Sequence, residues 1–202
     1  MKRTWAIVAA TVVVLLGVAV VGAGWGDTDD EARWGRHAGS MSMLGGAGGH
    51  GHASHHSSPP SNEADYLLEM VAHHREAVRA ATELRRSERA AMRAFGRQVV
   101  RTQSAQVDQM EEWLATWWPD AHADQAYEPM MRDLDGLSGD ALDRTFLEDM
   151  VPHHMAAVMS SQQLLARGLA EHPAVEGLAR RIRVEQMDEI RWMRATWSRM
   201  GP

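Results

Sequence analysis

Two stretches of this 202-residue chain carry the same unusual set of side chains, Glu69-Met70-Val71-Ala72-His73-His74 and Asp149-Met150-Val151-Pro152-His153-His154. Thioether sulfur and imidazole nitrogen are donors that soft, late transition metals accept. The chain has no cysteine, so its 14 Met and 11 His are all that remain for that chemistry. On a helix, residues at i, i+3 and i+4 lie within one turn, so each copy presents one sulfur beside two imidazoles. A lone histidine on an apolar face is more often a hydrogen-bonded core residue than a ligand. Two copies of the same Met and His pair reverse that weighting, and the four histidines and two methionines converge if their helices are neighbours or diagonal in the fold.

Other metal chemistry fits less well. Di-iron bundles take a Glu from each of two helices and Glu-x-x-His from the other two. Here the spacings are Glu69-x-x-x-His73 and Asp149-x-x-x-His153, and no inward Glu is expected at the di-iron spacing. The donor types point instead to copper, especially copper(I), and by the same softness to silver(I). Two rivals remain: a di-metal oxidoreductase, and a bundle without metal whose histidines serve packing or a protein partner.

The elements that carry these residues read as helices at 63–86, 89–117, 139–167 and 173–199, with Pro and Gly marking plausible ends and Ser138 as the N-cap of the third. The buried stripe of the first runs Leu67, Met70, His74, Ala77, Ala81, Leu84; that of the third runs Leu147, Met150, His154, Ala157, Ser161, Leu164. His74 and His154 therefore point inward, with His73 and His153 about 100° round at the stripe's edge. Gln106 and Gln186 fall on the buried sides of the second and fourth helices, where a histidine N–H is a natural partner for a buried amide.

Aligned without a gap, residues 66–118 and 146–198 are identical at 16 of 53 positions. The fold is accordingly expected to be all-α, a ferritin-like four-helix bundle over 62–202 built from two duplicated helical hairpins. The intervening 119–138 segment has the length of a crossover.

Upstream, Lys2 and Arg3 precede an uncharged apolar run from Trp5 to Gly24. Residues 1–25 read equally as a signal peptide, cleaved after Ala23, or as a membrane anchor. Either way the remainder lies outside the cytoplasmic membrane, as a secreted, periplasmic or membrane-tethered domain. Residues 26–61 form a Gly/Ser/His-rich linker too poor in apolar surface to fold, yet holding His50, His52, His55 and His56 with Met41 and Met43 upstream. A formal net charge of -6, with Lys2 the only lysine, excludes nucleic acid as a partner. No feature identifies a protein partner.

"LSGDALDRTFLEDMVPHHMAAVM" at 137–159 and "EQMDEIRWMRATW" at 185–197 resemble the ferritin-like family known as domain of unknown function 305. The resemblance covers about 62–200 and implies a four-helix bundle; some members are extracytoplasmic copper-binding proteins. By that resemblance Met70, His73, His74, Met150, His153 and His154 form the ligand set. Family members often carry a Met six residues after the second His. Here that position is Ser160, with Met159 one residue early, and Ala80 in the first copy, so the second copy keeps the pattern better. The resulting expectation is a metal-binding protein rather than an enzyme, with copper as cofactor, for buffering, tolerance or delivery.

Overall fold

The structure is a computed structural model that describes residues 59–123 and 127–201. The apolar segment expected at 1–25 and all but the end of the linker expected at 26–61 lie outside the described residues. Among the described residues there are four α-helices and no strand: α1 Glu63–Glu83, α2 Ala90–Trp117, α3 Gly139–Ala166 and α4 Pro173–Arg199. None of them is long and apolar enough to cross a membrane.

Local chemistry sets the helix ends. Asn62 caps α1 by accepting from the Asp65 backbone N–H at 2.8 Å. Pro173 opens α4, where its missing N–H costs nothing. After Glu83 the chain tightens into a 3-10 turn, Leu84–Arg86, so α1 ends a turn before the expected 86. Ser138 does stand at the N-cap of α3 in extended conformation, but its hydroxyl makes no capping bond.

α1 pairs with α2, α3 pairs with α4, and the two hairpins meet through α1 and α3. Those two helices run antiparallel, since Tyr66 Oη lies 2.8 Å from Ser161 Oγ while Ser87, just beyond α1, bonds Asp143 near the start of α3. Residues eighty apart thus face each other at the middle, with His73 over His153, as expected at a two-fold axis between like halves.

Each hairpin also anchors the other's turn. Glu63, 1% exposed, accepts from the backbone N–H groups of Glu171 and His172 at 2.9 and 3.2 Å. Its counterpart eighty residues on, Asp143, accepts from Ser87 Oγ at 2.9 Å and Arg89 Nη1 at 3.0 Å. Between these ends the apolar core forms two clusters. One contains Leu84, Phe95, Phe146 and Met150; the other contains Tyr66, Met70, Leu164 and Ile182. The histidines lie in the polar layer that divides them.

Candidate metal centre

All four histidines are buried: His74, His153 and His154 are 0% exposed and His73 is 6% exposed. The inward placement of His74 and His154 matches the helical stripe. His73 and His153, expected at the stripe's edge, are buried as well because α1 and α3 close on each other there. Their rings stack 3.7 Å apart with planes at 15°. Met70 and Met150 are buried in the two different apolar clusters, so one thioether-bearing side chain flanks each side of the imidazole layer.

Burial outside water disfavours the imidazolium form. It pushes His74 down to about 3, against a smaller opposing effect of the Gln106 hydrogen bond. His73 lies well below its ordinary value through burial and the neighbouring histidines, and burial also lowers His153 despite the Glu76 bond. A neutral imidazole has one N–H and one lone-pair nitrogen, and its surroundings decide which is which.

Here the surroundings decide alike for three of the four rings. Nε2 of His74 lies 2.8 Å from Gln106 Oε1, Nε2 of His153 is 3.1 Å from Glu76 Oε2, and Nε2 of His154 is 2.7 Å from Glu189 Oε2. The Gln106 amide is oriented by its other end, where Nε2 donates to Glu185 Oε2 at 2.8 Å. Nε2 of His73 lies 3.0 Å from the His153 carbonyl oxygen. For His74, His153 and His154 the oxygen at Nε2 accepts and nothing competes at Nδ1, so the proton of the neutral ring sits on Nε2 and the lone pair on Nδ1. The Nδ1 atoms of His74, His153 and His154 are buried and have no hydrogen-bond partner.

His73 is the exception: its Nδ1 lies 3.1 Å from Tyr127 Oη, so two oxygens compete for the single proton of its neutral ring. Tyr127 itself donates to Glu76 Oε2 at 2.6 Å, and Glu76 also accepts from the backbone N–H groups of Met130 and Met131 at 2.9 Å each. Burial alone would raise the Glu76 carboxyl, but the bonds from His153, Tyr127 and Met131 prevail and hold it down at about 2. The crossover between α2 and α3 is thereby fastened over α1, and Arg132 fastens it to Asp149 of α3.

One expectation changes. Gln186 is buried like Gln106, yet its amide bonds nothing and His154 takes Glu189 instead. Inward carboxylates do exist: Glu76 and Glu189 reach the histidines from positions outside the di-iron spacing. Glu189 follows Gln186 by three residues, on the same face of α4, which was a readable sign. Glu76 follows His73 by three, but its role depends on Tyr127, which arrives from the crossover without any periodic signal.

Three buried lone-pair nitrogens flanked by two thioethers suit a soft cation better than a hard one. Among the described residues no group of three or more His, Asp or Glu side chains is already gathered as a metal cage.

Comparison with known proteins agrees with the fold. No curated protein matches the chain. CopM in its Cu(II)-bound form is 26% identical, with a TM-score of 0.60 over 69% of this chain and 97% of CopM. CopM in its Cu(I)-bound form is 25% identical, with a TM-score of 0.59 over 70% and 99%. A DUF305 fragment from Deinococcus radiodurans is 29% identical, with a TM-score of 0.59 over 70% and 99%. The model of the family described as domain of unknown function (DUF305) matches residues 63–197, and the chain belongs to that family.

Proposed function

We propose that this protein binds copper(I) or silver(I) outside the cytoplasmic membrane, at the imidazole layer between α1 and α3, and serves copper buffering, tolerance or delivery. The observation that carries the reading is the set of three buried, unpartnered Nδ1 lone pairs on His74, His153 and His154. A buried nitrogen acceptor left without a donor is costly, and a soft cation removes that cost. CopM, whose structures hold Cu(II), Cu(I) and silver, supports the metal class. The ligands we assign are those three nitrogens with Met70 and Met150, and His73 once its Nδ1 leaves Tyr127. The bound ion would join the two hairpins. The extracytoplasmic setting rests on the apolar segment at 1–25, and the linker histidines would add weaker, exchangeable sites.

A purely structural role is favoured by one observation, that no metal cage is preformed among the described residues. The two readings separate cleanly. Glutamine places its amide N–H near the position of an imidazole Nε2 but has nothing at Nδ1. His74→Gln, His153→Gln and His154→Gln should therefore keep the bonds to Gln106, Glu76 and Glu189 while removing the metal donor. Competition titration against a copper(I) chelator should show wild-type binding and losses of about tenfold or more in His153→Gln and His154→Gln, with metal-free melting temperatures close to wild type. Unchanged affinity in all three variants would leave the histidines as core hydrogen-bonding residues.

A further inference from the structure

The two halves of the site are alike in their ligands but not in the groups behind them. Both carboxylates that touch an imidazole of the layer touch the second copy: Glu76 Oε2 lies 3.1 Å from His153 Nε2 and Glu189 Oε2 lies 2.7 Å from His154 Nε2. The first copy has neutral oxygens at the same places, the Gln106 amide behind His74 and the His153 carbonyl behind His73. The duplication shows how this arose. The position equivalent to Glu189 in the first copy is Gln109, and the position equivalent to Glu76 in the second copy is Ala156. One carboxylate from each half has thus been directed at the same histidine pair. Both are buried, at 4% and 8% exposure, where water screens them weakly.

Resting on the proposed metal site, we infer that Glu76 and Glu189 set its ion specificity by charge: they make His153 and His154 the dominant half and allow the nitrogen cluster to hold a divalent ion such as copper(II) as well as a monovalent one. A carboxylate hydrogen-bonded to the far nitrogen of an imidazole raises the basicity of the donor nitrogen and keeps it turned toward the ion. Its negative charge also attracts the ion through space, and that attraction doubles when the ion's charge doubles. Amide and carbonyl oxygens supply the orientation without the charge. Both glutamates are positioning residues here, since they reach the ion only through a histidine.

The test uses the full chain and two ions, silver(I) and copper(II), each titrated in competition against a chelator. Glu189→Gln keeps an acceptor for His154 and reproduces the residue found at the equivalent first-copy position; Glu76→Gln does the same for His153. Each substitution should weaken silver(I) by about tenfold and copper(II) by about the square of that factor, about a hundredfold. Intrinsic ligand preferences cancel, because each variant is compared with wild type for the same ion. Glu111→Gln, on the exposed side of α2, should leave both affinities within about twofold. Long-range nitrogen NMR of the metal-free variants should still show the proton on Nε2 of His153 and His154, which separates loss of charge from loss of geometry. If Glu76→Gln does not fold, Glu189→Gln decides alone. Equal losses for the two ions, or none, would overturn the specificity role. Failure of the wild type to bind either ion would overturn the metal site itself, a different and distinguishable outcome.

Discussion

A neutral imidazole has one proton for two nitrogens, so a buried histidine always leaves one nitrogen dependent on what it meets. In this layer the meeting is one-sided, with oxygen atoms at Nε2 of all four rings and no hydrogen-bond partner at three of the Nδ1 atoms. The same burial makes stability depend on pH. His74 titrates near 3 in the folded chain against an ordinary value of about 6.5, so below that ordinary value the unfolded chain binds the extra proton. Its contribution is complete above about pH 6.5 and is lost as pH falls toward 3, at about 1.4 kcal/mol per pH unit. His73 and His153 are displaced in the same direction and steepen the slope. Glu76, held at about 2, adds a further loss below its ordinary carboxylate range. Urea unfolding of chelator-treated protein should give constant stability above pH 7 and a steep fall between pH 6 and 4. A flat profile over that interval would contradict the buried, neutral state of the layer. The inward course of His74 and His154 was legible in the 3-4 spacing, because helical period alone determines it. The burial of His73 was not, because it depends on a second helix closing over the stripe's edge. Tyr127 left no trace in the sequence pattern, since loop residues obey no period.

At the scale of elements, the helices were readable nearly to the residue because their ends carry Pro, Gly and Asn, and because the apolar stripe stops where the helix stops. What periodicity does not reveal is how closely two helices approach. α1 and α2 come together at Gly96, where a Cβ atom would lie 2.7 Å from the Ala81 carbonyl oxygen and 2.9 Å from Leu84 Cβ. The first contact is backbone, which cannot swing aside as a side chain can. In an ordinary helix interior Gly→Ala stabilises by up to about 1 kcal/mol; at this crossing the sign reverses. Gly96→Ala should destabilise the bundle by about 1–3 kcal/mol through overpacking. Thermal melting checks this, and a raised melting temperature would mean that the helices part more easily than their packing indicates. The second copy has Glu176 at the equivalent position, in the first turn of α4, so the duplicated hairpins do not share this close approach.

For the molecule as a whole, the two hairpins are joined at three levels: a clamp at each end and the imidazole layer between. The duplication was visible in the sequence, and with it the pairing of like halves; the clamps were not, because Glu63 looks like an ordinary first-turn acid favoured by the helix dipole and Asp143 like one more polar residue of α3. Their burial, at 1% and 0% exposure, gives them a different task. Glu63 satisfies the otherwise free N–H groups of Glu171 and His172 where α4 begins, and His172 in turn stacks on Trp117 at 3.8 Å, closing that end of the core. Asp143 gathers Ser87 and Arg89 where α2 begins. Replacing Glu63 with Gln leaves an acceptor but puts an amide NH2 among donors, so one buried group loses its partner; Asp143→Asn can keep its oxygen on Ser87 and Arg89, but it removes the charge that faces Arg89 and leaves a buried amide NH2 in the place of the unpartnered Oδ1. Each substitution should cost about 1–3 kcal/mol. The sites share no hydrogen-bond partner and stand at opposite ends of the bundle, so the double variant should cost the sum of the two within about 0.5 kcal/mol. Denaturant melts of the four proteins test this. A double variant much less stable than the sum would mean that either clamp alone holds the hairpins in register. A double no worse than one single would mean that the first substitution already frees both ends, leaving the imidazole layer to hold the halves together.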